Sequence, residues 1–138
     1  MTTAFVALLA AVGFGVAETA IRSAEVLLGE SDVTVASMTT VWLLRAAIYG
    51  LVTVAAWRML RGGRWARLAL TGGIGVIGLV SLVIEPLSAL AADGIDLSAV
   101  TWAAVLVAII RIGHILAVLI AVPAMYTPAA RAWFGSAA

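Results

Sequence analysis

Four runs of about twenty apolar residues follow one another with short links between them, and they constrain this chain more than any motif does. A bilayer core about 30 Å thick takes roughly 20 apolar residues per helix. The runs lie at about Thr3 to Leu28, Ser37 to Trp57, Leu68 to Ala91 and Ala99 to Val122. In hydrocarbon every backbone N–H and C=O must be paired inside the protein, so isolated runs of this length are helices. Composition points the same way: 64% of the 138 residues are hydrophobic and 11% are charged, and the mean hydropathy is +1.19, outside the range of soluble domains. The expected fold is an all-α membrane protein, one domain over residues 1–138. Short links make neighbouring helices antiparallel, which gives a four-transmembrane-helix up-down-up-down bundle. The stretch "AFVALLAAVGFGVA" has the look of a signal-peptide core, but no Lys or Arg precedes it and the apolar pattern continues past Glu18 and Arg22, so a retained first span is expected.

Charges outside the runs sort by link. Arg58, Arg61, Arg64 and Arg67 surround "RGGRW" and Arg131 lies in the C-terminal tail, whereas Glu30, Asp32, Asp93 and Asp96 occupy the other two links. The basic side is expected to face the cytoplasm, with both termini there and the protein integral to the cytoplasmic membrane. Trp57, Trp65 and Trp133 fall near the same side as interfacial anchors. Gly62 and Gly63 are expected to end a helix in the left-handed conformation, and "DVTVAS" and "DGIDLSA" offer Asp, Ser or Thr as N-caps.

The two halves show a weak repeat. "GVAETAIRSAEVL" at 15–27 lies over "GVIGLVSLVIEPL" at 75–87, matching Gly15, Val16, Glu25 and Leu27 to Gly75, Val76, Glu85 and Leu87. Each half continues through an acidic link into a helix with one arginine, Arg45 or Arg111. Two pseudo-repeated helical hairpins entering the membrane in the same direction would be related by an axis along its normal.

Six of the fifteen charged residues lie inside the runs: Glu18, Arg22, Glu25, Arg45, Glu85 and Arg111, with His114 one turn beyond Arg111. A charge at the centre of a span costs about 2.5–3.5 kcal/mol, so these side chains must face one another or water. Glu18, Arg22 and Glu25 share a helix face at i, i+4 and i+7, where Arg22 can reach either carboxylate. Trp42, Arg45 and Tyr49 form a stripe on the second run, and Trp102 opens the fourth. Pro86, next to Glu85, removes a backbone donor and is expected to kink the third run. These residues are expected to line a cavity open to the outer face. Glu18, Glu25, Glu85 and His114 are its acid–base candidates, and Arg22, Arg45, Arg111, Trp42, Tyr49 and Trp102 its ligand-binding ones. The competing account is structural, with pairs such as Glu25–Arg45 and Glu85–Arg111 holding helices together.

No metal and no cofactor is expected. Arginines among the carboxylates would repel a cation, the single histidine lacks a haem partner, and the absence of cysteine excludes thiol chemistry. Nucleic-acid binding has no support beyond arginines that topology already explains. Beyond the lipid bilayer, the expected partner is a small lipophilic or anionic ligand. Whether the chain is an enzyme stays open. One reading is a small transporter or proton-coupled pathway, which at this size would use a homodimer. The alternative is a cofactor-independent membrane enzyme, an isomerase, cyclase or epoxide-opening hydrolase, using glutamate acid–base catalysis on a lipophilic substrate. A third is an accessory subunit of a larger membrane complex.

Overall fold

The structure is a computed structural model, and it describes residues 2–29, 35–93 and 101–136. Those residues are helical almost throughout. Helix α1 covers Thr2–Leu27 and α2 covers Val35–Leu60. The third span is composite: α3, Arg64–Leu70, runs into a π-helical segment, Thr71–Gly78, and then into α4, Leu79–Asp93. Helix α5 covers Trp102–Ala124, and a short α6, Pro128–Ser136, follows it. Four helical stretches are long and apolar enough to cross a membrane, Thr2–Leu27, Ser37–Leu60, Arg64–Ser88 and Trp102–Ala124. The expected runs are therefore found within a few residues of their expected ends.

The π-helical segment has a local cause. "TGGIGVIG" places four glycines in eight residues, each about 1 kcal/mol less favourable in an α-helix than alanine. The wider turn is visible where Leu79 N–H donates to Ile74 O, five residues back, and such insertions bend a helix. Pro86 lies inside α4, as does Pro123 inside the last turn of α5. Gly62, at φ 84°, closes the α2–α3 turn in the left-handed region, and its N–H donates to Met59 O at 3.0 Å. Gly63 does not share that role. It has φ −66° and ψ 100° and forms the extended residue before α3. Thr101 caps α5 by accepting from Ala104 N–H at 3.2 Å; of the caps expected in the two acidic links, Ser37 lies inside α2 and Asp93 ends α4, while Asp32, Thr34, Asp96 and Ser98 fall outside the described residues.

The core sits at the arginine end. Ala4, Ala7 and Leu8 of α1, Ala56 and Met59 of α2, Ala66 and Leu70 of α3, Ala121 of α5 and Met125 form one buried cluster, so all four spans converge there. Next to it, Ala11 packs with Ala117 and Val118. Small residues dominate because lipid offers no hydrophobic drive for helix association, and close backbone approach supplies the dispersion contacts instead. Phe14 lies over Gly113, where an added Cβ would come within 2.7 Å of the ring, and Tyr49 lies over Gly15 at 2.8 Å. Contacts along α1–α5 run Ala11 with Ala117 and Val118, Phe14 with Gly113, and Glu18 with Arg111. The numbers rise on one helix as they fall on the other. Along α1–α2 the same inversion appears, from Gly15–Tyr49 to Thr19–Arg45 to Ser23–Trp42.

Candidate functional site

Two hydroxyls of α1 organise its seam with α2. Thr19 donates its hydroxyl proton to Gly15 O at 2.8 Å, so its oxygen can only accept from α2. Arg45 Nη1 donates to it at 2.9 Å, and Tyr49 hydroxyl, 3.2 Å away, supplies the second donor. One turn further, Ser23 donates to Thr19 O at 2.6 Å and accepts from Trp42 Nε1 at 2.8 Å. In both cases the α1 side chain returns its own proton to the preceding turn and presents lone pairs sideways. Gly15, Thr19 and Ser23, spaced by four, are therefore the stripe that α2 reads.

Arg45 does not pair with Glu25, contrary to the expected structural pair. The Gly15–Tyr49 contact puts Arg45 level with Thr19, and Glu25 lies six residues beyond, about 9 Å along the helix at 1.5 Å per residue. Glu25 instead accepts from Arg22 Nη1 of its own helix at 3.3 Å. Near the end of this seam lies a cavity of about 230 Å³ lined by Thr19, Arg22, Glu25, Val26, Met38, Val41, Trp42 and Arg45.

Glu18 belongs to a separate arrangement on the opposite seam. It is 3% exposed, the one buried charged residue among those described. Arg111 of α5 grips a single carboxylate oxygen, Oε1, with Nε at 2.8 Å and Nη2 at 2.7 Å. Sequence spacing suggested Arg22 as its partner. Arg22 is half exposed and turns to Glu25. One turn from Arg111, the Nδ1 of His114 is buried without a hydrogen-bond partner among the described residues.

The structure thus gathers Arg22, Glu25, Trp42 and Arg45 around one cavity, keeps Tyr49 just below it, and sets Glu18, Arg111 and His114 beside it on the α1–α5 face. Trp102 is not part of either group; it is 77% exposed at the start of α5. Glu85 lies in α4, and its side chain is outside the described ones. Residues that the sequence reading missed are Thr19 and Ser23, whose four-residue spacing from Gly15 was the available signal, and the apolar wall of Val26, Met38 and Val41.

No protein-family model, curated protein or solved structure matches this chain.

Proposed function

We propose that this protein is a small carrier for organic anions, with the α1–α2 cavity as its binding site. The observation behind this reading is the charge balance of that cavity. Arg22 and Arg45 face it against Glu25 alone, while Glu18, the nearest other carboxylate on α1, is held by Arg111. Arg45 uses one of its five N–H groups on Thr19, which leaves a fork for an oxyanion; arginine and carboxylate pair through two parallel hydrogen bonds. Val26, Met38, Val41 and Trp42 supply walls for an apolar body. A volume of about 230 Å³ matches the liquid volume of about eight waters, which suits a small acid.

Glu18 and His114 serve in this reading as the proton pathway. A proton moving with the anion cancels its charge, which matters because an uncompensated charge in the bilayer is costly. The bundle runs up-down-up-down in the cytoplasmic membrane with both termini inside, the cavity opens outward, the two hairpins are pseudo-repeats, and a homodimer provides the alternating pathway. Acid–base catalysis has less support, since Glu25, the carboxylate that lines the cavity, already accepts an N–H from Arg22 and does not stand ready as a general base.

The test is uptake of radiolabelled L-lactate into proteoliposomes with an inward proton gradient. The wild type is expected to show saturable, gradient-dependent uptake above empty liposomes, and Arg45→Gln at least tenfold less. Uptake equal to that of empty liposomes refutes the carrier reading.

A further inference from the structure

The opposite end of the bundle carries a second charged feature that the carrier reading does not use. Arg58 in the last turn of α2, Arg61 in the turn after it, Arg64 and Arg67 in α3 and Arg131 in α6 lie at the end of the bundle where the core cluster with Met59, Ala66 and Met125 sits. No aspartate or glutamate occurs in the sequence between residues 33 and 84 or after residue 96, so these charges have no carboxylate in their own segments.

A set of side-chain contacts holds this end in shape. Arg61 stacks its guanidinium 3.6 Å above the Trp57 ring. Tyr126 lies under the guanidinium of Arg67 at 4.9 Å, and its hydroxyl meets that of Thr71 at 2.9 Å. Thr71 gives its own proton to Arg67 O, so Tyr126 is the donor. Arg131 Nε donates to Tyr126 O at 3.1 Å, tying the first turn of α6 to the residue whose side chain meets Arg67 and Thr71. Thr127 caps α6 by accepting from Ala130 N–H, and Ala130 is fully buried. Trp133 of α6 is half exposed.

We infer that this end is a binding platform for anionic phospholipid headgroups. A guanidinium stacked on an aromatic face keeps its N–H edge directed outward, the edge that takes a phosphate in a fork. Trp57 is 49% and Trp65 78% exposed, and indoles favour the headgroup level of a membrane. Basic clusters at the end of a span bind anionic lipids through this combination. The occupant is a lipid and not a soluble anion, because the arginines sit at the level where the four apolar spans end, with the indoles among them.

The test is native mass spectrometry of the detergent-purified protein with equimolar phosphatidylglycerol and phosphatidylcholine. The wild type is expected to retain phosphatidylglycerol about tenfold over phosphatidylcholine. Each basic residue near an anionic surface contributes about fivefold, so R58Q/R61Q is expected to abolish the preference, and W57A to weaken it. Arg22→Gln, which removes one positive charge at the other end, is expected to keep it. Equal retention of the two lipids by the wild type overturns the proposal. So does a preference that survives R58Q/R61Q, one lost in Arg22→Gln alone, or displacement of phosphatidylglycerol by millimolar inorganic phosphate.

Discussion

Replacing Arg111 with leucine tests how the buried pair holds α1 to α5. In the native bundle Glu18 Oε1 accepts two arginine N–H groups at 2.7 and 2.8 Å, and the carboxylate side chain is 5% exposed. Charges about 4 Å apart attract by about 4 kcal/mol at an effective dielectric constant of 20. Desolvation of both groups offsets much of this, so the intact pair contributes little net stability. Losing one partner is different, because the desolvation cost stays and the attraction goes. Arg111→Leu is expected to destabilise by about 3–5 kcal/mol, and Glu18→Leu by a similar amount, while the double variant should lie within about 1 kcal/mol of wild type. A competing effect sets a lower bound. Polar pairs between membrane helices average only about 0.6 kcal/mol in double-mutant cycles, because the unfolded spans find other partners. Arg22, four residues from Glu18, is such a partner in an isolated α1. The native grip on one oxygen at 3% exposure should beat that half-exposed alternative, and the single and double losses above correspond to a coupling of at least about 5 kcal/mol. Unfolding by sodium dodecyl sulfate in mixed micelles, followed by tryptophan fluorescence, measures it. A coupling below about 0.5 kcal/mol would refute the reasoning.

Other expectations follow from single contacts. Gly113→Ala puts a methyl group against Phe14, at 2.7 Å before relaxation, and should cost about 1–3 kcal/mol as an overpacked contact; Phe14→Leu should recover part of it in the same unfolding assay. Thr101→Ala removes the N-cap of α5 and should cost about 1 kcal/mol, read by thermal unfolding in detergent. Cysteines at Leu28 and Ala132, both exposed, should label from opposite faces of sealed cells with a membrane-impermeant reagent, Leu28→Cys from outside; labelling of Ala132→Cys from outside would reverse the proposed orientation.

The spans were legible in the sequence because membrane insertion is governed by long apolar runs, a signal that needs no tertiary information. Third-span irregularity was not, since glycine clusters permit an α-helix, a bend or a π-helical segment, and packing of Gly75 on Val122 is a long-range event. The buried charges could be listed from sequence but not paired. At about 100° per residue Arg22 lies about 40° to one side of Glu18 and Glu25 about 20° to the other, so spacing alone does not show that Glu18 goes to Arg111 of α5 while Arg22 turns towards α2 and takes Glu25 with it. The Glu25–Arg45 pair failed for a related reason, because the helix register depends on where Tyr49 meets Gly15. Thr19 and Ser23 were overlooked as ordinary small residues, although hydroxyls that bond back to the preceding turn commonly present acceptors to a neighbouring helix.

Equilibrium dialysis of radiolabelled benzoate against the purified protein shows whether the α1–α2 cavity holds an organic anion on Arg45. Saturable one-to-one binding is expected, weakened at least tenfold in Arg45→Gln, a loss of about 1.4 kcal/mol or more. Arg45→Lys should fall between, because it keeps the charge and loses the fork. Benzoate binding of equal strength in wild type and Arg45→Gln, or none in folded wild-type protein, would contradict an anion site on Arg45.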